Sequence, residues 1–180
     1  MVKDYFKGET IRLAAPDWEA DHSIYSSWGY HTEFKHLSSA GPLTILSKEQ
    51  QEAWMKGENA DSLDLMIRLL KDNRLVGRVG LEEFHEFPGN AWMSIEIGDP
   101  NDWNSGYGSE ATRLIVRFGF EQMNLRRISL AVFGFNTRAI HLYEKFGFLE
   151  EGKEREWLER FGQRWDLVHM GLLREDWVEK

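Results

Sequence analysis

The sequence predicts an α/β fold with one mixed, mostly antiparallel twisted sheet of about seven strands, flanked by about four helices. Three observations carry this. Segments 63–67, 76–84 and 91–97 have the alternation or apolar content of strands, with turn residues Asp72-Asn73 and Pro88-Gly89-Asn90 between them. Segments 108–123 and 137–146 repeat their apolar residues at helical spacing, on either side of a strand at 127–132. The chain closes on two strand-like stretches, 149–157 and 164–173, around Arg160-Phe161-Gly162-Gln163.

The earlier elements follow in order. Thr10-Ile11-Arg12-Leu13 reads as the first strand, and Asp17 caps a helix to about Ser27, with Trp18, Ile24 and Trp28 as its apolar contacts. The aromatic stretch from Trp28 to Phe34 has no clean period, and 37–46 reads as loop. Ser47-Lys48-Glu49-Gln50 is a capping box for a helix ending at Gly57. The order is therefore β-α-α-β-β-β-α-β-α-β-β, without a repeat, a linker or a low-complexity segment.

Composition bounds the function. A chain of 180 residues, 42% hydrophobic and 29% charged, is expected to form a single domain over 1–180 with a sizeable core. No apolar run reaches membrane-spanning length and no signal peptide is evident at Met1-Val2-Lys3-Asp4, so a cytoplasmic protein is expected. Without cysteine there is no disulfide, thiolate metal ligand or cysteine nucleophile. A net charge of −8 argues against general nucleic-acid binding, which needs basic patches; it suits a cationic acceptor or simply a soluble surface. His31 and His36 lack helix-face metal spacing, and no metal site is expected.

The rest of the chain is organised around 95–111. A strand ends at Asp99-Pro100, since proline lacks a ladder N–H. A loop follows, closed by Gly106-Tyr107-Gly108, and then a helix begins whose buried face is Ala111, Leu114, Ile115 and Phe118. Glycines let a ligand approach the backbone, and the first N–H groups of the helix point at it, so the arrangement suits a phosphate or diphosphate. Gly106-x-Gly108-x-x-Ala111 also matches a dinucleotide fingerprint, but a long loop separates it from its strand. The next strand ends at Phe133-Gly134-Phe135 without a carboxylate. The absence of Gly-Lys-Ser/Thr excludes a P-loop.

Trp103-Asn104-Ser105-Gly106-Tyr107-Gly108 resembles the Q/R-x-x-G-x-G/A loop of the GNAT superfamily of acyl-CoA N-acyltransferases, with Trp103 in the Gln/Arg place. The continuation Ser109-Glu110-Ala111 is similar to the branch related to ribosomal-protein N-terminal acetyltransferases. Asn136-Thr137-Arg138-Ala139-Ile140-His141-Leu142-Tyr143-Glu144-Lys145-Phe146-Gly147-Phe148 resembles the family's N-x-x-A-x-x-x-Y-x-K-x-G-F segment, and the agreement within the motifs spans about 75–152. The resemblance implies central strands that splay apart around acetyl-CoA, with direct transfer of acetyl to a primary amine and no metal. It implies that Ser105, Gly106, Tyr107 and Gly108 meet the diphosphate with N–H groups, that Ser109 offers its hydroxyl, and that Asn104 assists. It also implies an oxyanion donor near Ile97, pantetheine contact by Asn136, and a homodimer.

For each residue a structural role competes with the chemical one. Tyr143 is the acid candidate for the leaving thiolate, yet with Ala139, Leu142 and Phe146 it forms one apolar helix face. Glu96 is the base candidate; it also suits a pair with Arg78, and Glu82, Glu83 and His85 are rivals. Asn136 can cap its helix. Glu110 can face the helix dipole while pointing away from a ligand, and Arg113 either offsets phosphate charge or is solvated. Trp28, Tyr30, His31 and Phe34 lie where the family builds its acceptor wall, and equally suit a core cluster. The competing functional class is a CoA-binding regulatory module without catalysis; a nucleotide-dependent oxidoreductase is weakened by the missing carboxylate.

Overall fold

The computed structural model describes residues 4–41, 50, 61–85 and 88–179. The first half contains strand β1 (Ile11–Ala14), helices α1 (Trp18–Trp28) and α2 (Thr32–Ser38), and strands β2 (Ser62–Leu69), β3 (Leu75–Glu82) and β4 (Asn90–Ile97). The second half contains helix α3 (Tyr107–Glu121), strand β5 (Arg127–Phe133), helix α4 (Thr137–Phe146) and strands β6 (Leu149–Arg160) and β7 (Gln163–Leu173). The seven strands form one sheet in the order β1-β2-β3-β4-β5-β7-β6. Every neighbouring pair is antiparallel except β4 and β5. The expected fold class is therefore the observed one. The helix expected over 47–57 lies outside the described residues.

Strand alternation sorts the core into two layers. Leu65, Ile67, Val79, Leu81, Met93, Ile128 and Leu130 bury against Ala111, Leu114, Ile115 and Phe120 of α3 and Tyr143 and Phe146 of α4. On the opposite face Met66 and Leu75 pack with Trp28 and Phe34, from the ends of α1 and α2. One close approach there requires glycine: a Cβ on Gly98 would stand 1.7 Å from the Trp28 indole.

The parallel pair organises the molecule. β4 and β5 are in register only from Asn90 to Trp92 and from Arg127 to Ser129. Beyond that, β4 stays with β3 as far as Ile97, while β5 stays with β7 as far as Phe133. The two strands separate because each follows its antiparallel partner, and a wedge opens at their C-terminal ends. Gly98 N donates to Val76 O, so by antiparallel alternation Glu96 bonds toward β3, while Ile95 and Ile97 turn their N–H and C=O groups into the wedge.

Local departures from the sequence reading have physical causes. α1 starts as expected, with Asp17 accepting from Ala20 N at 3.3 Å, but its inward contacts come from Tyr25 and Trp28 while Ile24 is exposed. Residues 32–38 are helical rather than aperiodic or loop. So short a helix gains little from propensity; Phe34, packed edge-on against Trp28, holds it. The segment after β4 contains a 3-10 turn, Pro100–Asp102, capped by Asp99, which accepts from Asn101 N at 2.9 Å. In the β6–β7 hairpin Phe161 and Gly162 both have positive φ, 57° and 73°, the backbone that a two-residue turn demands.

A buried ion pair ties α1 to β2. Asp21 is fully buried; it accepts from Arg68 Nη2 at 2.5 Å and from Asp17 N at 2.9 Å. Arg68→Leu strands the carboxylate in the core, and a loss of about 3–5 kcal/mol in urea unfolding is expected, whereas Arg68→Leu with Asp21→Leu recovers much of it. No described helix is long and apolar enough to cross a membrane.

Candidate active site

The wedge continues into a cavity of about 550 Å³ bounded by β4, the β4–α3 loop, the first turn of α3, the end of β5, α4 and α2. The N-terminus of α3 lies at this cavity. Gly106 is the N-cap, left-handed at φ 86°, and no side chain caps the helix. The helical ladder there includes the bond from Glu110 N to Gly106 O, and the N–H groups of Tyr107, Gly108 and Ser109 precede it, without intrahelical partners. Asn104 is also left-handed, at φ 60°, which turns the loop tightly around this end. Asn104, Ser105, Gly106, Tyr107, Gly108 and Ser109 all line the cavity. Lys145 Nζ reaches Ser109 Oγ at 3.4 Å.

Glu110 points away from the cavity. Its carboxylate accepts from the backbone N–H groups of Glu9 and Thr10 and from the Thr10 hydroxyl, and Arg113 lies 4.0 Å away. The carboxylate thus anchors α3 to the start of β1 while facing the positive end of the helix dipole. Arg113 serves Glu110.

Trp103 lines the cavity with its indole N–H turned back on β4. Its Nε1 donates to Ile97 O at 2.7 Å, closing one of the wedge-facing carbonyls of β4 and leaving the Ile97 N–H. The Arg138 guanidinium lies over the Trp103 ring, 3.8 Å from its centroid. Burial lowers the Arg138 pKa, with Glu33 opposing. Asp102, on the same loop, is held by a two-pronged contact with Arg74, at 2.7 and 2.8 Å.

Deeper in the wedge, Tyr143 and Glu96 line the cavity from opposite limbs. Tyr143 is 8% exposed, and burial pushes its phenol up to about 12, so it is a neutral O–H donor throughout the physiological range. Glu96 Oε1 accepts from the Tyr25 hydroxyl at 2.8 Å and lies 3.6 Å from Arg78 Nη1. Arg78 also reaches Asp64 at 2.8 Å and Glu82 at 3.5 Å, and Ser94 donates to Glu82 at 3.0 Å. Burial disfavours the Arg78 charge, but Glu96, Tyr25 and Asp64 outweigh it and hold the guanidinium above its ordinary pKa. Tyr25 is raised well above its usual value by burial and then by Glu96, which keeps it a donor. The Arg78 pairing of the sequence reading is present, and Glu96 lines the cavity as well. Of the rival bases, Glu82 belongs to this network, and none of Glu82, Glu83 and His85 lines the cavity.

Asn136 caps α4, its Oδ1 accepting from Ala139 N at 3.2 Å, and it also lines the cavity, so the capping role leaves its amide N–H groups available. Phe133 closes the far rim, stacked on Phe135 and Trp157 with centroids at 5.4 and 6.0 Å.

The expected acceptor wall needs correction. Among the four residues only Phe34 lines the cavity. Trp28 is core, 3% exposed and packed beneath Gly98. Tyr30 follows the end of α1 and points to solvent, 67% exposed, and His31 is the N-cap of α2. The turn between the helices separates them: α1 ends with Trp28 inward, and Tyr30 lies in the turn that follows. Sequence reasoning missed Tyr25 and Arg138. Tyr25 stands one turn before Trp28, on the same face of α1, a usable signal; nothing in the sequence places Arg138 over Trp103. Among the described residues no three His, Asp or Glu side chains converge to hold a metal.

Comparison with known proteins agrees with this geometry. Residues 10–149 match the family profile described as an acetyltransferase (GNAT) domain. The uncharacterized N-acetyltransferase YnaD of Bacillus subtilis is 28% identical over 167 residues, 89% of this chain and 90% of its own length. A spermidine N(1)-acetyltransferase of Vibrio cholerae is 30% identical over 106 residues, covering 59% of this chain and 61% of the relative. The solved structure of a spermidine N-acetyltransferase from Vibrio cholerae in complex with CoA and spermine superposes with a TM-score of 0.80 at 22% identity, covering 92% of this chain and 96% of that one. A wedge between parallel strands, an uncapped helix N-terminus at its mouth and a family match over most of the chain fit one another: the chain belongs to the GNAT acetyltransferase family, whose N-acetyltransferases use acetyl-CoA as acetyl donor.

Proposed function

We propose that this enzyme transfers acetyl from acetyl-CoA directly to a primary alkylamine, with Glu96 as base and Tyr143 as acid. The carrying observation is that two such groups line one cavity from opposite limbs of the wedge: a carboxylate with one oxygen held by Tyr25 and Arg78, and a buried neutral phenol. The diphosphate of CoA is assigned to the N–H groups of Ser105, Gly106, Tyr107 and Gly108 and the Ser109 hydroxyl, with Asn104 beside them and Asn136 along the pantetheine arm. The Ile97 N–H, turned into the wedge, is assigned to the acetyl carbonyl oxygen, where negative charge develops on attack. Phe34 and Phe133 flank the acceptor entrance. Polyamines and protein N-termini both satisfy this chemistry; the resemblance to spermidine acetyltransferases favours a polyamine. Cytoplasmic residence and a homodimer belong to the same proposal, and sedimentation velocity measures the second.

Glu96→Gln tests the base. An alkylammonium has a pKa of roughly 10.4, so at neutral pH about one molecule in two thousand is neutral and a proton must leave before or during attack. The amide keeps the shape and the oxygen that accepts from Tyr25, but has no charge or basicity. With spermidine as acceptor, kcat/KM is expected to fall about 10²–10⁴-fold near neutral pH and to recover partly as pH rises, with CoA affinity little changed. An equal loss at every pH would assign Glu96 to acceptor positioning; no loss would move the base to Glu82 or bulk water. Turnover of no amine at all by the wild-type protein would leave the regulatory reading in its place.

A further inference from the structure

We propose that Arg138, fixed against Trp103, is the cation that binds the diphosphate of CoA; this rests on the assignment of the wedge to acetyl-CoA. The argument is one of charge in a closed space. Residues 103–111, the end of the β4–α3 loop and the first turn of α3, contain no lysine or arginine, and their one carboxylate, Glu110, is turned away. Among the described residues lining the cavity, Arg138 is the single Lys or Arg. The two carboxylates that line it are already matched, Asp102 by Arg74 and Glu96 by Arg78. Arg138 has no carboxylate within ion-pair distance among the described residues; Glu33 acts on it only at longer range. The unbalanced charge of the cavity is therefore positive, and it complements an anion. The phosphates of the donor are the anionic groups among the ligands assigned to this wedge, and they match it.

The geometry is suited to that task. Trp103 is pinned by its bond to Ile97 O, so the indole is a fixed platform at the end of β4. Arg138 comes from the other limb of the wedge, on the first turn of α4, and lies over that platform. Stacking covers a face of the guanidinium and leaves its in-plane N–H groups to grip oxygen atoms two at a time. It stands in the same cavity as the free N–H groups of Tyr107, Gly108 and Ser109. Leu142, one turn along α4 from Arg138, lies within 3.9 Å of the space a Gly108 Cβ would occupy, so this face of α4 meets the start of α3. Lys145, the next turn along, approaches Ser109 without lining the cavity.

Calorimetric titration of the full chain with CoA, 3′-dephospho-CoA and pantetheine tests this. Arg138→Gln is expected to weaken CoA and 3′-dephospho-CoA equally, by about tenfold or more, and to leave pantetheine unchanged. Arg138→Lys keeps the charge without the fork or the stack and falls between. Trp103→Phe, which loses the bond to Ile97 O, weakens CoA in the wild-type background and adds little in the Arg138→Gln background. Equal CoA affinity of wild type and Arg138→Gln would overturn the proposal alone. So would a loss seen with CoA but not with 3′-dephospho-CoA, or one confined to the acceptor KM. Failure of the wild-type protein to bind CoA would overturn the assignment of the wedge, before any variant is compared.

Discussion

Gly108→Val is expected to leave the fold intact and to weaken CoA binding by more than about a hundredfold. Position 108 lies in the first turn of α3, where valine is no worse than glycine in helix propensity. The backbone also has room for a Cβ, whose nearest neighbours would be Ile97 Cγ1 at 3.7 Å and Leu142 Cδ2 at 3.9 Å, ordinary contact distances. The two γ-methyl groups are a different matter. They fill the narrow passage between β4 and α4 and cover the N–H groups that a diphosphate must reach. Hydrogen bonds to a charged group are worth about 1.5–3 kcal/mol each, and losing two of them exceeds a hundredfold in Kd. Calorimetry with CoA measures the loss, and circular dichroism and thermal unfolding check the fold. Gly108→Ala, which adds only the tolerated Cβ, is expected to bind CoA much more nearly as wild type does. Undiminished affinity in a folded Gly108→Val protein would remove this loop from the binding site.

Tyr143→Phe is expected to lower kcat by about 10²–10⁴-fold while CoA affinity holds. The substitution deletes one oxygen from a residue that is 8% exposed and leaves the ring in its contact with Phe148, 5.8 Å between centroids. A solely structural Tyr143 would show the same stability near neutral pH and the same kcat, so the rate separates the two roles. A second readout comes from alkaline titration. Burial raises the phenol from an ordinary 10.0 to about 12 in the folded chain. Below the lower value it is neutral in both states and its contribution to stability is complete. As pH rises from about 10 to about 12, the unfolded chain ionises first, and the wild-type protein loses about 2–3 kcal/mol that the phenylalanine variant keeps. Parallel stability curves for the two proteins over that range would mean that the hydroxyl is hydrated in the folded state.

The mixed sheet and the order of elements along the chain were legible because strand and helix periods differ and the turns carry their own residues. The segments around Leu81, Met93 and Leu130 alternate, and Ala111, Leu114, Ile115 and Phe118 repeat at helical spacing, so each element declares which face it buries. The turn at the head of α3 was legible for a local reason: glycine at 106 and 108 followed at once by a helix start is a backbone property, complete within one stretch of chain. Asn136 was legible in the same way, since a cap contacts N–H groups three residues on.

What the sequence left open concerned groups distant along the chain. Trp28, Tyr30, His31 and Phe34 share one stretch, but whether each faces core, solvent or cavity depends on how α1 and α2 lie on the sheet. Packing under Gly98 took Trp28 and left Phe34 at the cavity. Glu96 was read as base or as partner of Arg78, and the tertiary structure makes it a partner of Arg78 that also lines the cavity, with Tyr25 arriving from α1. The stack of Arg138 on Trp103 joins the two limbs of the wedge. The sequence by itself determined the order of elements, the backbone turn at the mouth of α3 and the identity of the buried faces, because these are set by interactions within a few residues. Only the tertiary structure decided which charges are matched and which remain open in the wedge, because an ion pair depends on distances between strands and helices that no local pattern records.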